Sequence, residues 1–460
     1  MQGNGVTVGV DVGTTSVKAV AVDADGQIIS RSRIPHSIVT TQAGRLEHDA
    51  RRAWRDGTKK AYRAVTENLN FPIAGVTTAS MIPSMTAVNK RGIPILPGVL
   101  YGDERGQPRH EDSESQGAQD LSFNGEWFLR WAKTEAPDAY GYWPCQAVAT
   151  HALADVPAMD SAASSSLGTL LGRDGWNQPL LDDIGISDAA LPKIVPMCAP
   201  GGTLPGSDTV FGGGTIDALA DQIVSGATQP GDVLAIFGAT VVIWIVTDAY
   251  VEHPPEGLFS VPHLVAGRGL LGGPSNAGAL FVDWARELSG MSARHARELE
   301  QQERPDNPAQ VPVWLPYLRG ERTPFNDRSL RAMLVDADIT HGPEAIRRAA
   351  YEASGFVIRR MVEMSGVPAT RVVASGGGSR SSAWMRGVAD ATGIPVESVA
   401  VSEGAAYGAA YLARMAAGLE TSLDDAQRWT ATGERYEPDP GWESAIQGRY
   451  DRFHSLGTGV

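Results

Sequence analysis

Alternating hydrophobic and polar positions predict a β-hairpin at the start of the chain. The stretch Val6–Asp23 contains two valine-rich runs that alternate with small or polar residues, and this period of two is typical of strands. Between them lies Asp11-Val12-Gly13-Thr14-Thr15-Ser16, a turn of small and hydroxyl residues. Its backbone N–H groups have no bulky side chain in front of them, which suits the oxygens of a phosphate. An ordinary edge hairpin with a glycine turn is the alternative.

The same pattern returns near the middle of the chain. Two hydrophobic runs, Val233–Phe237 and Val241–Val246, are joined by Gly238-Ala239-Thr240. Two copies of a strand, Gly-x-Thr turn, strand arrangement predict two similar lobes. Before the second copy, a glycine-rich loop at Phe211–Gly214 runs into a predicted helix. That helix has Asp217 in its first turn.

A third glycine segment follows a predicted strand at Val372–Ala374. Its sequence is Ser375-Gly376-Gly377-Gly378-Ser379, and a helix is predicted to begin near Ser382. A strand, a glycine turn and a helix amino terminus bring backbone close to a nucleotide, and the helix dipole favours its phosphates. Three glycines are also common in flexible linkers, but the flanking strand and helix argue against a linker here. Helical spacing of small and aromatic residues further predicts a long helix over Pro343–Ser365 and a small-residue helix after Glu403.

Length and charge narrow the class of protein. A chain of 460 residues is too long for one hydrophobic core and suggests two or three domains. The net charge of −14 argues against nucleic acid or an anionic membrane surface as a partner. The two cysteines, Cys145 and Cys198, form no CxxC pair and favour reduced thiols. Without a visible secretory signal or a bilayer-length apolar run, we expect a soluble cytoplasmic protein.

Two carboxylates stand at the ends of predicted strands. Asp11 comes just before the first turn, where it could hold a hydrated metal ion against phosphates. Asp103 follows the extended run Ile93–Leu100, and open α/β sheets usually bind ligands at the carboxyl ends of strands. A surface turn is the alternative interpretation for Asp103.

Together these segments resemble the FGGY carbohydrate kinases. The motifs occur in that family's order between residues 6 and about 412: Asp11-Val-Gly-Thr-Thr, Gly102-Asp103, the glycine loop with Asp217, Gly238-Ala-Thr, Pro316-Tyr317, Gly320-Glu-Arg-Thr-Pro324 and Ser375-Gly-Gly-Gly. The resemblance implies an α/β protein with the two-lobed actin-like ATPase (ribonuclease H-like) fold, in which duplicated mixed sheets are flanked by helices around a central cleft. It implies an amino-terminal lobe over residues 1–227 with the sugar site and catalytic base, an ATP-binding lobe over 228–432, and a helical tail over 433–460.

The resemblance also implies the activity and the roles of residues. The γ-phosphoryl group of Mg-ATP would pass to a hydroxyl of a small sugar, with a ketopentose such as xylulose or ribulose as first choice. Asp217 matches the family's catalytic base, and Asp221 is its competitor one helical turn later. Asp11 would hold Mg²⁺, and the sugar would contact Asp103, Met81 and Ile82. The expected ATP-binding residues are Gly13, Thr14, Thr15, Gly238, Ala239, Thr240, Gly376, Gly377, Gly378 and Ser379.

Departures from the family pattern leave the substrate open. Met81-Ile82-Pro83-Ser84 stands where xylulokinase-like members carry Gln-Met-His-Gly, and the Arg-Glu pair of glycerol kinases is absent. A kinase for a polyol or for a sugar acid such as gluconate is one alternative. A catalytically silent sugar- or ATP-binding relative is another, because a fold does not settle a function, although Asp103 and Asp217 favour a kinase. The expected partner is a small sugar, with neither nucleic acid nor membrane. The oligomeric state is open, with a homodimer as one alternative.

Overall fold

The computed structural model describes residues 5–40, 44–106, 125–172, 175–264, 267–299, 307–401 and 403–457. The first fifteen strands are β1 Val6–Val12, β2 Ser16–Val22, β3 Ile28–Pro35, β4 Glu47–His48, β5 Ile73–Ser80, β6 Ser84–Val88, β7 Gly98–Leu100, β8 Gly141–Trp143, β9 Ala158–Asp160, β10 Leu171–Gly172, β11 Gly175–Trp176, β12 Lys193–Val195, β13 Pro200–Thr203, β14 Val210–Gly212 and β15 Thr215–Ile216. Nine more follow, and they are β16 Asp232–Phe237, β17 Val241–Thr247, β18 Phe259–Pro262, β19 Gly269–Ser275, β20 Val313–Leu315, β21 Met333–Val335, β22 Arg371–Ser375, β23 Val396–Val399 and β24 Thr432–Tyr436.

The α-helices lie between these strands and after them. They are α1 Gly57–Thr66, α2 Gly125–Glu135, α3 Cys145–Ala154, α4 Ser161–Ser165, α5 Gln178–Ile184, α6 Asp217–Ser225, α7 Ala279–Leu288, α8 Ala293–Leu299, α9 Pro343–Ser365, α10 Ser382–Thr392, α11 Gly404–Ala416 and α12 Glu443–Gly457. A π-helical turn over Arg51–Asp56 leads directly into α1. The predicted helix over Pro343–Ser365 is confirmed as α9, and its buried face carries the alanines and Phe356 that predicted it.

The chain forms two compact units. The first contains Met1–Val224 together with Glu403–Trp429, and the second contains Ser225–Ser402 together with Thr430–Val460. The segment 403–429 therefore packs in the first unit, whereas the sequence placed it within the lobe 228–432. The cause is close packing of α11 on two strands. A Cβ atom on Gly9 of β1 would lie 1.8 Å from the carbonyl oxygen of Ala406, and one on Gly75 of β5 would lie 2.5 Å from that of Ala413.

The first unit is built on a mixed sheet with strand order β13-β14-β5-β1-β2-β3, and β15 also pairs with β5. β1 runs antiparallel to β2, which confirms the predicted hairpin, and parallel to β5. A smaller sheet of the same unit has the order β4-β7-β6-β8. Every residue of β1 is buried. The valines of β1 and β2 pack with Trp54 and other buried residues in one hydrophobic cluster.

The second unit repeats this local arrangement. Its sheet has the order β18-β19-β17-β16-β22-β23-β24. Here β16 is antiparallel to β17 and parallel to β22, just as β1 is to β2 and β5. The duplication predicted from the two Gly-x-Thr segments is therefore confirmed. The helices α7, α9 and α10 pack against this sheet around Phe281, Phe356 and Trp384.

Candidate active site

Three strands of the first unit bring predicted site residues to one end of its sheet. Asp11 at the end of β1 is in register with Ala79 of β5, and Thr215 of β15 is in register with the same Ala79. All three strands run parallel, so their carboxyl ends meet where open α/β sheets place ligands. β1 and β15 lie on opposite sides of β5. Asp217 directly follows β15, and the charge of Asp11 raises its pKa, so the two carboxylates are close enough to repel each other.

Asp11 is buried and lies opposite a cation. Its side chain pairs across the hairpin with Lys18, whose Nζ is 3.8 Å from Asp11 Oδ2. Burial raises the pKa of Asp11, while the charge of Lys18 opposes this shift. The other carboxylate oxygen, Oδ1, is buried and has no hydrogen-bond partner among the residues that the structure describes. An unpaired buried carboxylate oxygen is costly, and a cation bound at this position would compensate it.

Asp217 is the first residue of α6 and has the properties of a proton acceptor. Its Oδ1 accepts a hydrogen bond of 2.7 Å from the backbone N–H of Ala218. The pKa of Asp217 is raised to about 7, first by burial and then by repulsion from Asp11 and Asp221. A carboxylate with a pKa near the working pH is an efficient general base. The prediction that Asp217 opens a helix is confirmed.

The amino-terminal turn, Gly13–Thr15, offers backbone rather than side-chain donors. Gly13 N donates to Ser16 O at 3.1 Å and closes the turn, and among the residues with assigned positions the amides of Thr14 and Thr15 donate to no acceptor. The Thr14 hydroxyl is already engaged, because its Oγ1 lies 3.0 Å from the hydroxyl oxygen of Tyr101. The turn can therefore bind an anion through two amides.

Asp103 occupies a different environment from the one that the sequence suggests. Its Oδ1 accepts hydrogen bonds from Arg105 N and Nε, and its Oδ2 accepts from Leu46 N and Arg105 Nη2. Arg105 Nη2 also donates to Glu47 at 2.5 Å, and its guanidinium covers the ring of Trp131. Each carboxylate oxygen of Asp103 already accepts two hydrogen bonds. A sugar hydroxyl that bound Asp103 would have to replace one of them, and the predicted sugar contact stays a prediction.

Met81 and Ile82 follow β5 at the same end of the sheet as Asp11. The Met81 side chain is buried in the core of the unit, and its carbonyl accepts hydrogen bonds from Ser84 Oγ and Gln146 Nε2. Ile82 is only partly buried. A sugar contact made by this segment would therefore involve Ile82 or main-chain atoms rather than the Met81 side chain.

The glycines before Asp217 are explained by packing. A Cβ on Gly213 would lie 2.8 Å from Asp160 N, and one on Gly214 would lie 2.8 Å from Gln146 Cβ. Both glycines let the chain pass close to β9 and α3 just before α6 and Asp217 begin.

In the second unit, two predicted ATP-binding segments lie side by side. β16 and β22 are parallel with Ile236 opposite Ser375, so the turns that follow them share one end of the sheet. The carbonyls of Gly238 and Ala239 accept hydrogen bonds of 2.9 and 3.1 Å from the first two amides of α7. These bonds fix the Gly238–Thr240 turn against a helix amino terminus.

The three consecutive glycines differ in their surroundings. Gly376 has a φ of +86°, and a Cβ there would lie 2.7 Å from Phe237 O. A Cβ on Gly378 would lie 2.6 Å from the Trp384 ring, whereas the nearest atom to one on Gly377 would be 3.9 Å away. The Ser379 hydroxyl donates to Gly376 O at 2.8 Å and shapes the loop. Gly377 is therefore the position in this loop with the most open backbone.

Sequence reasoning missed three residues that the structure joins to these predicted sites. Lys18 pairs with Asp11, Tyr101 binds Thr14, and the His48 ring contacts the Thr14 carbonyl. Lys18 could have been found from the hairpin, because a turn at residues 13–16 places residue 18 opposite residue 11. Tyr101 and His48 lie on other elements, and nothing in the sequence indicates their contacts.

Among the residues that the structure describes, no helix is both long and apolar enough to cross a membrane. Within the same residues, no three His, Cys, Asp or Glu side chains are grouped so that they could hold a metal ion. Cys145 and Cys198 are not joined in a disulfide.

Comparison with known proteins agrees with this arrangement. Residues 6–204 match the amino-terminal domain of the FGGY family of carbohydrate kinases, and residues 235–417 match the carboxyl-terminal domain. Xylulose kinase of Escherichia coli K12 is 23% identical over 478 residues, which cover 98% of each chain. Glycerol kinase of Renibacterium salmoninarum is 25% identical over 488 residues, covering 94% of this chain and 93% of that protein.

The fold has close counterparts among solved structures. Gluconate kinase from Lactobacillus acidophilus superposes with a TM-score of 0.82 at 21% identity and covers 99% of this chain and 98% of its own. At this identity the likeness establishes the fold, which is that of the actin-like ATPases, but not the substrate. The matched domains span most of the sequence, and their family phosphorylates hydroxyl groups of small sugars with ATP. This chain belongs to the FGGY family of carbohydrate kinases.

Proposed function

We propose that this kinase transfers the γ-phosphoryl group of Mg-ATP to a hydroxyl of a neutral sugar, with a ketopentose such as xylulose or ribulose as the first choice. The observation that carries the proposal is Asp217, whose pKa is raised to about 7 beside Asp11 at one end of the sheet. A sugar hydroxyl is a poor nucleophile at neutral pH, so its proton must be removed as the new bond to phosphorus forms.

In the proposed reaction, Asp217 accepts that proton. The sugar oxygen bonds to the γ-phosphorus, the bond to the bridging β,γ-oxygen breaks, and ADP leaves. The hydrogen bond from Ala218 N to Asp217 Oδ1 holds the carboxylate at the start of α6 and leaves its other oxygen to receive the proton. Asp221, one helical turn away, raises the pKa of Asp217 by repulsion and supports it without touching the sugar.

Asp11 fits the role of a magnesium ligand. Among the described residues its buried Oδ1 has no hydrogen-bond partner, and Mg²⁺ prefers carboxylate oxygens, phosphates and water. When bound, Mg²⁺ neutralises charge on the phosphates. The amides of Thr14 and Thr15 in the first unit, and the loops at Gly238–Thr240 and Gly376–Ser379 in the second, are the proposed nucleotide contacts.

Local charge supports a neutral substrate over a sugar acid. Asp11, Asp217 and Asp221 place negative charge beside the reacting hydroxyl. Lys18 and Arg105, the cations that the described part of the chain places against Asp11 and Asp103, are already paired, Lys18 with Asp11 and Arg105 with Asp103 and Glu47. Binding gluconate through either cation would require breaking one of these pairs. The absence of the Arg-Glu pair of glycerol kinases argues against glycerol.

The direct test is ADP release with Mg-ATP across ketopentoses, polyols, gluconate and glycerol. Stimulation by a ketopentose, lost in Asp217→Asn, would support the proposal. Stimulation by gluconate alone would overturn the argument from charge. Nucleotide binding without stimulation by any compound would instead favour a catalytically silent relative.

The pKa of Asp217 predicts a pH dependence. Protonated Asp217 cannot accept a proton, so kcat/KM for the sugar should fall about fivefold between pH 7 and pH 6 and about tenfold for each pH unit below that. His36 and His48 lie in the same unit, but burial lowers the pKa of each to about 4, so neither produces a limb near pH 7. Initial rates from pH 5.5 to 9 at saturating Mg-ATP measure this. A rate that stays flat down to pH 5.5 would contradict the assignment.

The Asp103–Arg105 pair predicts a selective effect on sugar binding. Asp103→Ala and Arg105→Met should each raise the KM for the sugar about tenfold, since either change releases the loop that Asp103 and Arg105 hold together. The KM for ATP should change by less than about threefold. Arg130→Met is the matched control, because Arg130 also bridges two carboxylates, Glu126 and Asp183, in the same unit. Equal increases in the KM for the sugar and the KM for ATP would contradict a role of Asp103 in sugar binding.

A further inference from the structure

His48 lies beneath the amino-terminal turn and makes two hydrogen bonds. Its Nε2 is 2.8 Å from the carbonyl oxygen of Thr14, and the indole Nε1 of Trp54 is 3.0 Å from its Nδ1. Both rings are fully buried. His48 and Trp54 thus connect the turn to the helical segment that precedes α1.

The two bonds determine which nitrogen of His48 carries the proton. An indole N–H is only a donor, so Nδ1 of His48 must accept from Trp54. In a neutral ring the proton then lies on Nε2, which donates to the Thr14 carbonyl. Burial and the neighbouring His36 lower the pKa of His48 to about 4, so the ring stays neutral at working pH and keeps this tautomer.

The orientation of the Thr14 carbonyl sets the orientation of the next amide. In a trans peptide the C=O of one residue and the N–H of the next point in opposite directions within one rigid plane. Because His48 holds the Thr14 carbonyl toward the buried side of the turn, the N–H of Thr15 points away from it. Thr15 is exposed, and its amide donates to no acceptor among the described residues.

Neighbouring contacts keep His48 in place. Glu47, the other residue of β4, accepts a hydrogen bond from Arg105, and the backbone N–H of His36 donates to Thr15 O at 3.0 Å. The strand that carries His48 and the next peptide plane of the turn are therefore both fixed. A displacement of the His48 ring would change the Thr14–Thr15 peptide plane rather than β4.

We propose that His48 is a positioning residue for phosphoryl transfer: with its tautomer set by Trp54, it orients the Thr15 amide toward a phosphate of the bound nucleotide. This inference rests on the proposed function insofar as the turn binds ATP. It assigns to His48 no proton transfer and no contact with the sugar.

The test compares His48→Leu, His48→Gln and Trp54→Phe. Leucine removes the donor to Thr14, so the Kd for Mg-ADP and the KM for Mg-ATP should rise about tenfold, while the KM for the sugar changes by less than about twofold. Glutamine places an amide N–H near the position of Nε2 and should restore nucleotide affinity to within about threefold of the original protein. Trp54→Phe removes the donor that fixes the tautomer of His48, and it should lower nucleotide affinity by an amount between those of the two His48 variants.

His151→Leu is the matched control. His151 is a partly buried histidine of the same unit and packs against Trp143 at 5.0 Å between ring centroids, but it lies on α3, away from the chain segment of the turn. Its removal should leave the Kd for Mg-ADP unchanged. A folded His48→Leu protein with unchanged Mg-ADP affinity, or with equal effects on sugar and nucleotide, would overturn the proposal. If that variant does not fold, unchanged affinity for Mg-ADP in Trp54→Phe would overturn it.

Calorimetric titration with Mg-ADP separates this inference from the proposed function, because it needs no sugar turnover. Nucleotide affinity that depends on His48, in a protein that phosphorylates no sugar, would refute the proposed function and leave the role of His48 standing. A protein that does not bind Mg-ADP at all would overturn both.

Discussion

Asp217→Asn is expected to lower kcat for sugar phosphorylation on the order of 10³-fold. Asparagine keeps the size of the side chain but cannot accept the hydroxyl proton, and loss of a general base typically costs 10² to 10⁴ in rate. The KM for Mg-ATP should stay within about threefold, since Asp217 contacts the proton and not the nucleotide. Steady-state ADP release at saturating sugar and nucleotide measures both quantities.

Asp221→Asn is the matched control for this prediction. It changes the same residue type on the same helix, one turn further from the start of α6. We expect it to reduce kcat by less than about tenfold, because it only removes a charge that raises the pKa of Asp217. If Asp217→Asn kept most of the activity while Asp221→Asn abolished it, Asp221 would be the base.

The features that the sequence predicts well are local. Period-two alternation predicted the hairpin β1–β2, and the position of Asp11 before its turn follows from that hairpin alone. The repeat at Gly238–Thr240 predicted the second hairpin in the same way. Asp217 at the start of α6 also follows from neighbouring residues, because the glycine loop and the helical pattern adjoin it.

The features that the sequence does not predict depend on contacts between distant segments. Asp103 accepts a hydrogen bond from the backbone N–H of Leu46, which lies 57 positions earlier, and its contact with a sugar stays a prediction. His48 contacts Thr14 across 34 positions. Tertiary packing of this kind leaves no periodic signal in one sequence. Tertiary packing also explains the position of α11. Its small residues pack closely on Gly9 and Gly75, and the segment 403–429 therefore belongs to the first unit.

The raised pKa that supports Asp217 as the proposed base should also make its carboxylate lower the stability of the folded protein. Its pKa is about 7 in the folded protein and 3.8 in an unfolded chain, so the folded state binds the proton more tightly. Below pH 4 the carboxyl is protonated in both states and contributes nothing. Between pH 4 and pH 7 the unfolded chain ionises first, so the folded state loses stability as pH rises. The full penalty is present above pH 7.

Asp217→Asn should therefore be more stable than the original protein at pH 8 and show a smaller gain at pH 5. A shift of about three pH units corresponds to about 4 kcal/mol, and we expect roughly 1–3 kcal/mol because part of the side chain reaches water. The midpoint temperature of thermal unfolding, Tm, should therefore be about 2–8 °C higher for Asp217→Asn at pH 8. Asp208 is an exposed aspartate of the same unit, and the control substitution Asp208→Asn should change Tm by less than about 1 °C. An Asp217→Asn protein that is folded but less stable at pH 8 would show that this carboxylate is stabilised, and would remove the physical basis for its role as the base.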